Sequence, residues 1–272
     1  MLLGRVISYA IRPRIYVILR GGLGNQLYQI AAGVHLAEKY GGKLIIFPHI
    51  VDTAKNHDRR GFYKKIDLSG LFPKIKIHEV NRIEDFVLRV MSRVSLRRFQ
   101  KRIVSEENFF NASIYQIILI VGWFQSHEYL PVNIDFTKLA DPLLKSKKET
   151  KLHVRLTDFL DIDKHPLDGH FYKEALKKLQ EKHNFSDVIC FSDDIPNAIK
   201  ILPPSFTYIF PEIENSLKAN ELLSALSSSY ALICSKSSLC WWAANAVGSQ
   251  GGIVISPWTE KAHKSSWLKI DN

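Results

Sequence analysis

Ile15-Tyr16-Val17-Ile18-Leu19, then Gly21-Gly22-Leu23-Gly24-Asn25-Gln26, then a patterned run to Tyr40, then Lys43-Leu44-Ile45-Ile46-Phe47: this stretch decides the fold. Its two ends are short, β-branched and apolar, as buried strands are. Between them Leu27, Ile30, Ala31, Val34 and Ala37 recur at three- and four-residue spacing, which predicts a helix from Asn25 to Tyr40 closed by Gly41-Gly42. Strand, helix and strand in so short a span make a βαβ unit with parallel strands.

The same alternation returns further along the chain. A strand is predicted at 151–155, a helix near 170–182, a strand at 188–191 and a helix from about Pro196. A helix near 216–228, a strand at 230–234 and a helix at 238–247 follow. This pattern argues for an α/β protein with parallel sheets covered on both faces. The middle is less regular. Residues 52–78 are polar and turn-rich. Residues 82–103 read as a helix with Ile83, Phe86, Val87, Val90 and Val94 on one side, flanked by Arg89, Arg93, Arg97 and Arg98. Asp141-Pro142 and the charged stretch Lys145–Lys151 place a boundary near 140–150, which divides the chain into 1–145 and 146–272.

Composition narrows the function classes. With 272 residues, 46% of them hydrophobic and 24% charged, the chain is globular rather than disordered or fibrous. Cys190, Cys234 and Cys240 form no C-x-x-C pair, which argues against a disulfide scaffold or a cysteine-rich zinc site and suits a reducing, cytoplasmic setting. The N-terminal run MLLGRVISYAI is broken by Arg5 and followed by Arg12 and Arg14. It falls short of the ~20 apolar residues of a membrane span and reads as a mature N-terminus. The net charge of +10 invites a nucleic-acid reading, but residues 55–102 carry a net +9 and residues 151–272 a net −1. A general polyanion binder is not built that way.

Four motifs carry chemistry. The glycine loop fails as a dinucleotide fingerprint, because Leu27 stands where a third small residue is needed and Phe47 where an acid is needed. Its glycines would still let a ligand approach the backbone, and Asn25 with Gln26 supplies amides at a helix start; a plain tight turn is the competing reading. His153-Val154-Arg155-Leu156-Thr157-Asp158 ends a strand at the edge where open α/β sheets bind ligands. There Arg155 either offers its donor fork to phosphate or pairs with Asp158. Phe191-Ser192-Asp193-Asp194 places two carboxylates before a helix, where one can cap it and one can accept N1–H and N2–H of guanine. Ser235-Lys236-Ser237-Ser238 starts a helix, as ordinary caps or as an anion site; Trp241 and Trp242 behind it read as core. Asp161-Ile162-Asp163 resembles a D-x-D metal motif, although an exposed acidic turn explains it better. H-E-x-x-H, P-loop and G-x-S-x-G patterns do not occur.

In this order and spacing the set resembles the α-1,2-fucosyltransferase family, glycosyltransferase family 11, in its bacterial form. The resemblance rests on Gly21-Gly22-Leu23-Gly24-Asn25-Gln26-Leu27-Tyr28-Gln29, Gly122-Trp123-Phe124-Gln125-Ser126, His153-Val154-Arg155 with Asp158, Phe191-Ser192-Asp193-Asp194, and Ser237-Ser238-Leu239-Cys240-Trp241-Trp242-Ala243-Ala244. It runs from about Val17 to Pro257. It implies an α/β, two-lobed GT-B-like architecture with Rossmann-like parallel sheets, residues 1–145 serving the acceptor and 146–272 binding GDP-fucose. The implied reaction is metal-free transfer of L-fucose, with inversion, to the 2-hydroxyl of a terminal galactose, with no cofactor besides the donor.

Carried over residue by residue, Arg155 binds the β-phosphate, His153 and one of Asp193 and Asp194 hold the guanosine, and Ser237 with Ser238 cradles the diphosphate. Gly22, Gly24, Asn25 and Gln26 join the donor site, while Trp123 and Gln125 face the acceptor. Asp158, Asp161 and Asp163 are the candidate bases, and related core fucosyltransferases favour Asp163. Two departures stand out: Leu156 and Thr157 occupy positions where the family carries Arg and Gly. Leu156 motivates a competing expectation, a catalytically silent GDP-sugar or glycan-binding homologue. A D-x-D metal-dependent glycosyltransferase is another. The setting implied is surface-polysaccharide assembly on a galactose-terminated, lipid-linked acceptor. The basic stretch 82–103 would then touch the anionic inner membrane face, against the plain reading of a solvated surface.

Overall fold

Residues 15–47 fold as their periodicity requires. In the computed structural model, which describes residues 12–47, 63–79, 103–112, 117–142, 149–156, 167–211, 218–257 and 266–270, β1 (Arg14–Ile18) leads through the glycine loop into α1 (Leu23–Tyr40) and returns as β2 (Lys43–Phe47). Gly41, in the left-handed region at φ 62°, ends the helix, and its N–H reaches back to the carbonyl of Ala37. β1 and β2 pair in parallel from Arg14 with Lys43 to Ile18 with Phe47. Ile15, Val17, Leu44 and Ile46 are fully enclosed, as are Leu27, Ile30, Ala31 and Ala37 of the covering helix.

The chain divides into two compact units, Met1–Asp135 and Phe136–Asn272, where the sequence placed the line at 145/146. The Phe136–Leu139 turn belongs to the second unit for a packing reason: the Phe136 ring lies 6.3 Å from that of Trp241 and 5.6 Å from that of Trp242.

The first unit adds α2 (Leu68–Leu71), β3 (Ile77–Glu79), β4 (Ile103–Val104) and β5 (Ile117–Ile120), giving a sheet of order β3-β2-β1-β5-β4. The second contains β6 (Thr150–Val154), α3 (Gly169–Gln180), β7 (Asp187–Ser192), α4 (Ile195–Ile201), β8 (Thr207–Ile209) and α5 (Ala219–Ser227). It continues with β9 (Ala231–Ile233), α6 (Ser238–Ser249), β10 (Ile253–Ser256) and β11 (Leu268–Lys269). Its sheet runs β11-β10-β9-β6-β7-β8. Every described strand pair is parallel. Leu152, Val154, Leu156, Leu167, Phe171, Tyr172, Leu176 and Ile233 belong to one core cluster in the second unit. Trp241 and Trp242 are 2% and 0% exposed, core side chains as the sequence suggested.

Strand order fixes where a ligand can sit. In each unit the chain starts in the middle of its sheet and later crosses to the other side, so the order reverses between β1 and β5 and again between β6 and β9. The carboxyl ends of such strand pairs flank a crevice that connections do not cover. The glycine loop follows β1 and Gly122-Trp123-Phe124-Gln125 follows β5; Arg155 follows β6 and Ser235-Lys236-Ser237 follows β9. These four loops therefore stand at switch points, and Phe191-Ser192-Asp193-Asp194 follows β7, the strand next to β6.

Among the described helices none is long and apolar enough to cross a membrane. The basic stretch with Arg89, Arg93, Arg97 and Arg98 lies outside the described residues, as do Thr157, Asp158, Asp161 and Asp163.

Candidate active site

Parallel register builds the second unit's site. Val154 of β6 stands opposite Ser192 of β7, so the next residues, Arg155 and Asp193, leave their strands side by side. Asp193 Oδ2 lies 3.2 Å from Arg155 Nε, while its Oδ1 accepts the Leu156 N–H at 2.9 Å. One carboxylate thus fixes both the guanidinium and the backbone beyond it. The two side chains are 29% and 20% exposed, so the pair contributes roughly 1 kcal/mol or less to stability and its main effect is orientation. Asp194 is the helix cap: it accepts the Asn197 N–H at 3.2 Å and the Asn197 side-chain amide at 2.7 Å, ahead of Pro196 in the first turn of α4.

On the other side of β6, His153 is 2% exposed, and its Nδ1 lies 2.8 Å from Ser235 Oγ. Burial pushes the neighbouring Cys234 thiol well up, so it remains a donor, and it points to the Cys240 carbonyl at 3.7 Å. Ser235 Oγ in turn accepts the Ser237 N–H at 3.4 Å. Ser237 is the N-cap of α6 yet makes no side-chain capping bond, and it and Ser238 are half-buried. A twelve-residue helix whose N-terminus is not capped by its own side chain presents its first N–H groups and positive dipole end to an incoming anion.

The first unit's switch point is also built. Gly21 has φ +70°, and a Cβ there would stand 2.8 Å from Asn25 Nδ2 and 3.0 Å from the Trp123 ring. Gln26 is fully buried and donates to the Gly21 carbonyl at 2.9 Å; Gln29, equally buried, exchanges bonds with the Arg20 backbone at 2.8 and 3.3 Å. Asn25 Oδ1 accepts from Gln125 Nε2 at 2.6 Å. Glu106 Oε1 accepts both the Trp123 N–H at 2.6 Å and the Phe124 N–H at 2.7 Å.

This arrangement has counterparts of known kind. The chain is similar to an Escherichia coli α-1,2-colitosyltransferase, 23% identical over 288 residues covering 93% of this chain and 97% of that protein. It is also similar to the E. coli O-antigen biosynthesis glycosyltransferase WbnK, 26% identical over 306 residues, covering 94% of this chain and all of the other. No family model matches the chain. Among solved structures, fucosyltransferase NodZ from Bradyrhizobium shares 14% identity at a TM-score of 0.52, over 87% of this chain and 93% of its own. The heptosyltransferase TibC shares 14% identity at 0.50, over 96% of this chain and 63% of its own. The chain is a glycosyltransferase, similar over most of its length to these two E. coli relatives. Its fold is that of the GT-B enzymes.

Within this transferase the expected residues sort differently from their sequence reading. Arg155, Ser237 and Ser238 are half-buried in the loops that follow β6 and β9. Arg155 pairs with Asp193; Asp158, the partner the sequence considered, lies outside the described residues. His153 is buried, and its ring is engaged with Ser235 inside the protein. Gln26 and Gly24 are buried in the first turn of α1, so they shape the loop and leave Asn25 as its half-exposed amide. Leu156 joins the core cluster at 5% exposure. Sequence reasoning included Ser235 in the helix-start motif without its bond to His153, and missed Glu106.

Proposed function

We propose that this transferase moves L-fucose from GDP-fucose, with inversion and without a metal ion, to the 2-hydroxyl of a galactose residue during surface-polysaccharide assembly. One observation carries the reading: an arginine held in place by a carboxylate stands at the same switch point as an uncapped helix N-terminus lined by two serines. That combination suits a leaving nucleoside diphosphate. As the bond from fucose C1 to the β-phosphate oxygen loosens, negative charge gathers on the diphosphate, and Arg155 with the α6 N–H groups stabilises it without reorganising. The acceptor oxygen attacks the opposite face of the oxocarbenium-like sugar and gives its proton to a carboxylate, for which Asp163 is favoured over Asp158 and Asp161. The carboxylates of Asp193 and Asp194 remain the candidates for the guanine edge, in addition to their contacts within the protein. The relatives named for α-1,2 transfer and for O-antigen biosynthesis support the linkage and the setting.

The test is a transfer assay in EDTA with GDP-fucose and a panel of galactose-terminated acceptors, read by mass. The expected product carries one added deoxyhexose that an α-1,2-specific fucosidase removes. Binding of GDP without transfer to any acceptor would replace this reading with the silent homologue. Transfer that requires a divalent cation and a UDP-sugar would replace it with the D-x-D mechanism.

A further inference from the structure

The carboxyl edge of the first sheet holds a constellation that diphosphate chemistry does not use. Trp123 is 47% exposed, a large apolar ring left to solvent although its backbone is held at several points. Its own N–H and that of Phe124 both end on Glu106 Oε1. Phe124 adopts φ 54°, rare for a non-glycine residue, and buries its ring completely against Phe109 and Tyr129. A Cβ at Gly122 would run into the Glu106 carboxylate and the Phe124 ring, so a larger residue there would displace the clamp. Gly21 approaches the indole from the neighbouring loop. Single exposed apolar side chains are ordinary on proteins. A carboxylate clamp, a left-handed residue and a close glycine serving one exposed indole are not.

Beside the ring, the bond from Gln125 Nε2 to Asn25 Oδ1 orients both amides. It leaves an N–H of Asn25 as donor and the carbonyl oxygen of Gln125 as acceptor at the rim. A flat apolar surface next to one donor and one acceptor is complementary to a pyranose, which has a C–H face and a hydroxyl edge.

We infer that this edge is a preformed hexopyranose subsite. Trp123 stacks on the sugar, Asn25 and Gln125 read its hydroxyls, and Glu106 is the positioning residue that sets the indole's pose. The inference rests on the transferase reading and deepens it: it moves Asn25 from the donor to the acceptor side and names the part of the acceptor that is recognised.

The experiment uses the full chain without donor. Methyl β-galactoside is titrated while tryptophan emission and acrylamide quenching are followed, with Trp123→Phe as the spectral reference. Galactoside should shift emission to the blue and protect it from quencher in the wild type, and both effects should vanish in Trp123→Phe. In the transfer assay, Trp123→Ala should raise the acceptor KM at least tenfold with the GDP-fucose KM unchanged, and Trp123→Phe should recover most of that loss. Glu106→Ala should copy Trp123→Ala, and Glu106→Gln, whose amide oxygen still accepts both N–H groups, should rescue it. If Glu106→Ala fails to fold, Trp123→Ala and Glu106→Gln decide the matter. An unchanged acceptor KM in Trp123→Ala, or quenching that galactoside does not alter, would overturn the subsite. A wild type that protects Trp123 with galactoside yet transfers nothing would overturn the proposed activity and leave the subsite standing.

Discussion

Replacing Arg155 with alanine is expected to lower the rate of sugar transfer by about two to three orders of magnitude, the range seen when one preorganised group is removed from a site of developing negative charge. The loss should appear mainly in kcat, because charge on the diphosphate grows as the C1–O bond breaks. Stability should change little. The ion pair with Asp193 is partly exposed, and Asp193 keeps the Leu156 N–H and solvent as partners, so the melting transition should stay within about 1 kcal/mol of wild type. Arg155→Lys keeps the charge but loses the planar fork that Asp193 holds through Nε, and an intermediate rate is expected. Near-normal turnover in Arg155→Ala, measured on folded protein, would remove Arg155 from the reaction.

Leu156→Arg is the second large effect, and it acts on stability. It introduces the residue type expected at this position from the resemblance, yet here the side chain packs in one cluster with Leu152, Val154, Leu167 and Phe171 at 5% exposure. The substitution would forfeit that packing, and a guanidinium left in the cluster would carry a desolvation penalty of several kcal/mol. Against a total stability of about 5–15 kcal/mol, a fall of this size should lower the melting temperature steeply. Leu156→Ala should cost about 2–5 kcal/mol and Leu156→Met less than about 1.5 kcal/mol. Equilibrium unfolding in urea measures all three. If Leu156→Arg melted within ~1 kcal/mol of wild type, the side chain would have a route to solvent, and the missing charge would bear on activity rather than on the core.

The same residue shows how far local pattern carries. β1, α1 and β2 were legible because three periodicities follow one another with a glycine at the helix end. The starts of α4 and α6 were legible because Asp and Ser precede apolar helical runs, although only Asp194 makes a side-chain capping bond and Ser237 does not. The two-residue strands β4 and β11 carry too little sequence for any period. β5 is a four-residue apolar run, and no local signal says that Ile117 pairs with Arg14, although that pairing creates the first switch point. Site residues followed the same division. Arg155 and the serines were legible because their chemistry belongs to their own loops. Glu106 was hidden by Ser105-Glu106-Glu107-Asn108, which already makes sense as a local cap. Gln26 looked like a ligand amide because a helix start suggests exposure, whereas close packing of α1 on the sheet turns it onto the Gly21 carbonyl.

The central claim, that the switch point of the second unit holds the diphosphate of a guanosine donor without metal, is tested most directly by thermal unfolding in EDTA with added nucleotides. GDP at about a hundred times its Kd should stabilise the chain by about 2.7 kcal/mol, with ADP and UDP leaving the melting temperature unchanged. A curve that GDP does not move, or one that shifts only with UDP and a divalent cation, would contradict the account.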